Sequence, residues 1–338
     1  MKKYISLFLS LILILLVIVG CDYVSNTDIQ TDTESNTNDS NSDTESELKD
    51  TVTDIDEMQE TPAEDFEYRF SKSNENAIIT KYIGTSKDVI IPSKIEGRTV
   101  TSLLGYQVDD ILHGVFQGTE IETVVIPDTV IAMAGRTFMD CTFLSSVTIK
   151  PNSVLREIGN QAFRNCSSLK TINLEDAKNL KSIGSYAFNN CNSIERIILP
   201  ENLESIGFAG FSECASLKSI NVPSKLSLLP NDLGLRITDL PTLEEIRFDD
   251  GRQIINGYIY FGMSSDVNII IPSSVNTIEM DVFGNSDDGH VNLYFLGDCP
   301  QFIYYEDRFP GYVTIYYDPN TNGWDTTPLK DVYTLIPT

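Results

Sequence analysis

Histidine, tryptophan and positive charge are scarce in this chain. Its 338 residues include two histidines (His113 and His290) and one tryptophan, and 24 Lys and Arg stand against 49 Asp and Glu, a net charge of -25. So few histidines exclude His-rich metal sites and most His-centred acid–base chemistry. The deficit of base argues against nucleic acid or an anionic membrane surface as a partner, because both need a basic face to offset phosphate charge. Short catalytic and phosphate-binding motifs are missing as well: there is no G-x-S-x-G, no H-E-x-x-H and no G-x-x-x-x-G-K-[ST]. Nor does any apolar run reach the ~20 residues of a spanning helix. The length suits one large or two ordinary domains.

The charge is unevenly placed. Residues 1–21 carry +2, from Lys2 and Lys3; residues 22–65 carry fifteen acids against Lys49 alone; residues 66–338 hold the remaining thirty-four acids and twenty-one bases. The last group's -13 is spread over 273 residues and predicts no uniformly acidic surface. Lys2-Lys3 followed by the apolar run Tyr4 to Val19 fits a secretory signal segment. The run ends in Ile18-Val19-Gly20-Cys21, which resembles the lipobox of bacterial lipoproteins. That resemblance implies residues 1–20 as a signal peptide, diacylglyceryl transfer to the Cys21 thiol and cleavage before it. The plainer alternative is an ordinary signal segment or uncleaved anchor with an incidental cysteine. More than one acyl chain on Cys21 would anchor stably where a single chain is marginal. Residues 21–65 are nearly all Ser, Thr, Asn, Asp and Glu, as in TDTESNTNDSNSDTESELKD. Such a segment cannot bury enough apolar area to offset its ordering entropy, and like charges extend it. It is expected to be a disordered spacer reaching ~35–40 Å as a coil and at most ~150 Å stretched. An acidic calcium- or partner-binding tail is the alternative.

Residues 66–338 repeat. The pattern I-G-x-x-x-F-x-x-C-x-x-L-x-x-I-x-L begins at Ile158-Gly159, Ile183-Gly184 and Ile206-Gly207, with a looser copy at Met133-Ala134. Its Phe column (Phe138, Phe163, Phe188, Phe211) and Cys column (Cys141, Cys166, Cys191, Cys214) share spacings of 25, 25 and 23 residues. Degenerate copies flank these, with an insertion at 105–115 and an eroded stretch at 226–243. Alternation in L-x-x-L-x-L points Ile172 and Leu174 inward and Asn173 outward. One coil cannot bury its apolar side, so coils stack and pair their strands into a parallel sheet. Pro127, Pro200, Pro223 and Pro272, lacking an N–H, end strands. Stretches such as NQAFRNC are expected to form a brief helical turn on the opposite side.

The phrases IGNQAFRNCSSLKTINL and IGSYAFNNCNSIERIILP resemble the BspA-type leucine-rich repeat of bacterial surface proteins. AIITKYIGTSKDVIIPSKIEGRTVTSL is similar to the opening segment of such domains, and LYFLGDCPQ with VTIYYDPNTNGWDTTPL to their closing segment, so the likeness covers about 66–335. It implies an α/β, predominantly β, leucine-rich-repeat solenoid of coils of about 23–25 residues, with a parallel sheet on one face and short helical turns or irregular structure on the other. It further implies adhesion, host-protein binding or immune recognition. The family carries no shared catalytic residues to transfer.

Several constellations take plain interpretations. With Cys21 lipidated, five cysteines remain, an odd number. The column cysteines should stack ~5 Å apart with parallel Cβ vectors, which opposes disulfide geometry and cannot surround a metal, so buried free thiols are favoured over disulfides or zinc. Asp318-Pro-Asn320-Thr-Asn322-Gly323 begins like an EF-hand loop, but Leu329 stands where the bidentate Glu belongs, so it reads as a turn. Asp249-Asp250-Gly251 and Asp287-Asp288-Gly289 also read as turns. The remaining candidate is the outward side of the sheet: Lys170, Asn173, Glu195, Arg196, Lys218, Asn221, Glu244 and Arg247. Solenoids commonly bind through such a surface; the alternative is solvated strand positions whose ion pairs contribute little. The expected protein is a non-catalytic lipoprotein, tied by Cys21 to the extracytoplasmic side of the cell membrane. Its solenoid would bind an extracellular or envelope protein or glycan, with no cofactor, metal, nucleic acid or small-molecule substrate. Alternatively it is an envelope scaffold that recruits another bacterial protein.

Overall fold

A computed structural model describes residues 59–228, 236–238, 240–256, 259–262, 266–279, 283–284, 290–303, 312–331 and 333–338. The chain divides into two units, Met1–Glu57 and Met58–Thr338. The signal segment, Cys21 and most of the proposed spacer lie outside the described residues. The folded unit takes in residues before 66: Thr61 donates its N–H to the Ile90 carbonyl and accepts the Ile90 N–H on Oγ1, both at 2.9 Å, and Glu60 Oε1 accepts the Ser93 N–H at 2.9 Å.

The earlier coils contribute strands to two ladders. The first opens with an antiparallel pair, Phe66–Phe70 against Asn76–Tyr82, and then runs in parallel through Arg98–Leu103, Ala132–Met133, Glu157–Ile158, Ser182–Ile183 and Ser205–Ile206. The L-x-x-L-x-L strands form the second, in two parts. One is four-stranded: Asp88–Ile90, Thr123–Ile126, Ser146–Ile149 and Thr171–Ile172. The other is seven-stranded: Arg196–Ile197, Ser219–Val222, Glu245–Phe248, Val267–Ile271, His290–Phe295, Tyr312–Tyr317 and Thr334–Pro337. The later coils add two three-stranded parallel ladders, Arg236–Thr238 with Ile259–Gly262 and Phe283–Gly284, and Ile254–Ile255 with Thr277–Glu279 and Gln301–Ile303. The parallel solenoid expected from the repeat is what forms, with almost no helix among the described residues. The insertion at 105–115 holds an antiparallel hairpin, Tyr106–Val108 with Ile111–His113, and the His113 ring stacks on Tyr106 at 5.1 Å.

The Ile-Gly pair reflects how closely coils approach. A Cβ at Gly159, Gly184 or Gly207 would lie 2.4 to 2.5 Å from a backbone nitrogen of the preceding coil, so any side chain there would push the coils apart.

The side opposite the L-x-x-L-x-L ladder is not helical. Gln161 and Asn165, Tyr186 and Asn190, and Ala209 and Glu213 all have positive φ, four residues apart in each coil. These left-handed residues break the helical turn expected for NQAFRNC. They also aim alternate N–H groups along the solenoid axis: Gln161, Phe163 and Asn165 donate to the carbonyls of Ser185, Ala187 and Asn189 in the next coil. The intervening Ala162, Arg164 and Cys166 N–H groups bond three residues back in their own coil, so the backbone is satisfied alternately between coils and within one. Asn and Asp tolerate this conformation well, and before Cys141, Cys166 and Cys191 they chain together, with Asn165 Nδ2 donating to Asp140 Oδ1 at 2.7 Å and Asn190 Nδ2 to Asn165 Oδ1 at 3.0 Å.

Two columns fill the core. The rings of Phe116, Phe138, Phe163, Phe188 and Phe211 stack with centroids 4.9 to 5.1 Å apart and planes within 8 to 12°. The column cysteines are free and buried. Each thiol donates to the carbonyl of the preceding coil's Phe: Cys141 to Phe116 at 2.9 Å, and Cys166, Cys191 and Cys214 to Phe138, Phe163 and Phe188 at 3.1 Å. Cysteine suits the position because it is small, apolar and still a donor.

Burial pushes these thiols up from an ordinary 9.0, Cys141 to about 11 and Cys214 to about 12, with Cys166 and Cys191 also well above it. An unfolded chain would ionise them near 9.0, while the folded chain keeps them neutral. Their contribution to stability is therefore complete below that pH and is lost as pH rises toward about 11 to 12. The expected result is a urea midpoint that falls steadily above pH 9, at up to about 1.4 kcal/mol per pH unit per thiol. At about pH 8 a maleimide should label the column thiols only when the chain is unfolded; native-state labelling at the unfolded rate would contradict this burial.

Candidate binding face

The eight outward candidates sit on the L-x-x-L-x-L ladder or beside it, in two groups. Lys170 and Asn173 flank Thr171–Ile172 at the end of the four-stranded part. The other six lie on the first three strands of the seven-stranded part or next to them. There Arg196 is in register with Ser219 and then Glu245, and Asn221 with Arg247. Lys170, Glu195, Arg196, Lys218, Glu244 and Arg247 are exposed.

Much of this set is occupied within the chain. Lys218 Nζ bonds Glu195 Oε2 at 2.7 Å, holding that carboxyl below its usual range and the ammonium above its own. Arg247 Nε lies 3.4 Å from Glu245 Oε1. Such exposed pairs add little stability, but they neutralise the face locally. The two asparagines are half-buried. Asn173 Oδ1 accepts the Ile149 N–H at 2.8 Å and its Nδ2 donates to the Ile149 carbonyl at 3.0 Å. Asn221 treats Leu199 the same way, at 2.6 and 3.0 Å. Each amide imitates one residue of a neighbouring strand and caps the ladder where the coil turns away. Among the described residues no group of three or more His, Cys, Asp or Glu is placed to hold a metal ion, and no helix is long and apolar enough to cross a membrane.

A model of the BspA type leucine rich repeat region matches six copies, over residues 109–233 and 238–295, more than half of the chain. The chain belongs to the BspA-type leucine-rich-repeat family. Among solved structures, a leucine-rich-repeat protein of T. pallidum is 28% identical, over 56% of this chain and 86% of that one, with a TM-score of 0.44. One from Bacteroides ovatus is 22% identical over 77% and 71%, with a TM-score of 0.47. The pneumococcal vaccine antigen PcpA is 13% identical over 82% and 98%, with a TM-score of 0.40. Comparison with curated proteins gives no match.

The BspA-type ladder continues past the eight candidates. Four further strands carry an outward row that sequence reasoning did not single out: Ile270, Tyr294, Tyr316 and Ile336, in mutual register. The Tyr294 and Tyr316 rings stack at 4.5 Å and 7°. The row beside it is Asn268, Asn292 and Thr314, with Asn292 Nδ2 donating to Asn268 Oδ1 at 3.1 Å. The charge is also less evenly spread than the -13 over 273 residues suggested. Residues 66–239 hold nineteen acids and seventeen bases, whereas residues 240–338 hold fifteen acids and four bases. A running count along the chain, rather than one total, reveals the asymmetry.

Proposed function

We propose that this BspA-type protein is a non-catalytic bacterial surface lipoprotein, held by lipid on Cys21 at the extracytoplasmic side of the cell membrane, whose solenoid binds an external protein. The observation that carries the binding role is the seven-stranded parallel ladder from Arg196–Ile197 to Thr334–Pro337, a broad regular surface with an outward row on every strand. Extended surfaces of this kind are where solenoids take partners. The anchoring role rests on sequence order: a basic pair, an apolar run, Ile18-Val19-Gly20-Cys21, then an acidic polar segment before the solenoid.

Cells carrying Cys21→Ser provide the test. The unsubstituted protein should fractionate with membranes, carry an acylated Cys21 at its mature N-terminus and be lost when intact cells are treated with protease. The variant should carry no acyl group and keep residues 1–20 uncleaved, and adhesion of the cells should fall with loss of the mature form. An unmodified N-terminus on the unsubstituted protein would end the anchoring claim. Unchanged adhesion, together with crosslinking to one endogenous envelope protein, would replace external binding with scaffolding.

A further inference from the structure

We propose that the outward surface of the last strands of the seven-stranded ladder, centred on Tyr294 and Tyr316, docks a basic protein segment that also carries apolar side chains. This rests on the protein-binding role above and assigns it a place and a partner chemistry.

The stripe Ile270–Tyr294–Tyr316–Ile336 crosses four strands without interruption, and neither it nor the Asn268–Asn292–Thr314 row beside it carries a charge. The tyrosines are half-buried and Ile336 is 36% exposed, so the stripe is partly open to solvent. Tyrosine offers a large, rigid contact area at low entropic cost and is enriched at protein interfaces. Around this uncharged centre the charge is mainly negative, with Arg247, in register with Ile270 at its edge, as the exception. Glu244 and Asp266 precede their strands, and Asp249 and Asp318 follow theirs. Few bases oppose them in this third of the chain. Arg252 is buried with its guanidinium on the Pro223 and Leu226 carbonyls, and Arg247 faces Glu245.

The complement of an apolar stripe between acidic margins is a chain with apolar side chains on the stripe and basic groups at its sides. Arg and Lys suit this doubly, because their methylene stems lie along Ile and Tyr while their charged ends reach the carboxylates. A glycan suits it less. Sugar rings stack on open aromatic faces, but each of these rings already turns one face to the other. Nucleic acid is excluded by the charge.

The test uses the mature chain, residues 21–338 with Cys21→Ser, which lacks both the apolar run and the lipid, and four immobilised probes: a short peptide alternating arginine with valine, the same peptide with glutamate or with glutamine in place of arginine, and dextran. The arginine–valine peptide should bind, and binding should weaken as salt rises. Tyr294→Ser with Tyr316→Ser should weaken it by about tenfold or more, as for a central pair of interface aromatics. Tyr294→Phe with Tyr316→Phe keeps the stripe and should bind as before. Asp266→Asn with Asp318→Asn leaves acceptors in place and should reduce both affinity and salt dependence. Lys181→Gln with Glu204→Gln, an exposed pair beside the first ladder, should change nothing. The proposal is overturned if the glutamate or glutamine peptide or dextran binds as well as the arginine peptide. It is likewise overturned if no probe binds, or if the serine pair binds normally while its circular dichroism and melting temperature show it folded. Should the serine pair fail to fold, the phenylalanine and asparagine pairs decide. Cells that adhere normally with the serine pair, but not with Cys21→Ser alone, would refute this surface and leave the external-binding role standing.

Discussion

Phe163→Ala is expected to lower the free energy of unfolding by about 3–5 kcal/mol, the range for deleting a fully buried aromatic ring. Phe163 is inaccessible to solvent and stacks on both sides, with Phe138 at 5.0 Å and Phe188 at 4.9 Å. Alanine would leave a void bounded by two rings that the close approach of the Ile-Gly turns keeps from collapsing together. Part of the loss belongs to the stack itself. A double-mutant cycle of Phe163→Leu and Phe188→Leu should give a coupling of about 0.5–1.5 kcal/mol beyond lost area. Phe143, 55% exposed one turn away, provides the control, and Phe143→Ala should fall within about 0.5 kcal/mol of zero. Urea titrations of these variants beside the parent would measure both quantities. A Phe163→Ala chain as stable as the parent would mean the ring column is not what holds neighbouring coils together.

That column was legible in the sequence because it repeats at the spacing of an independent column. Phe and Cys recur together, and in the fold each makes its own contact, ring on ring and thiol on the preceding Phe carbonyl. The Ile-Gly pairs and the strand-ending prolines were legible for the same reason, since each answers a constraint that every coil meets. The NQAFRNC segment departs from the helical turn its composition suits because its backbone conformation is set by the neighbouring coil. The Asp and Asn before Cys141, Cys166 and Cys191 were the available hint of left-handed backbone. The outward residues carry no such constraint. Asn173 and Asn221 look like recognition residues in sequence, and only the adjacent strand shows their amides bound to Ile149 and Leu199. The Tyr294–Tyr316 stripe is hidden in the sequence because its strands lie in the closing segment, past the regular repeat, where no Phe or Cys column marks the register.

Arg252 shows what loss of register conceals. Three residues before the Ile (or equivalent) of each Ile-Gly turn stand Val130, Leu155, Leu180, Leu203 and Leu226, and the pairing of Ile254–Ile255 with Thr277–Ile278 aligns Arg252 and Val275 with them. All are buried, Arg252 included at 7% exposed. In sequence, Asp249-Asp250-Gly251 reads as a turn with Arg252 directly after it, yet the arginine occupies a core position. Its Nη2 donates to the carbonyls of Pro223 at 2.7 Å and Leu226 at 2.6 Å, its Nε has no partner, and burial pulls its pKa down against the opposing influence of Asp249. Two substitutions separate volume from hydrogen bonding. Arg252→Ala strands both carbonyls and opens a void, and should cost about 3–5 kcal/mol. Arg252→Leu restores the side chain of the other coils, removes the unpartnered Nε and the buried charge, and should cost clearly less, because replacing a buried charge by a packed apolar group is often neutral or better. Equal losses for the two would show that the carbonyl contacts, and not the filling of the column, keep arginine in the core. Alanine without effect would mean that the carbonyls find water and that this coil tolerates a gap its neighbours do not.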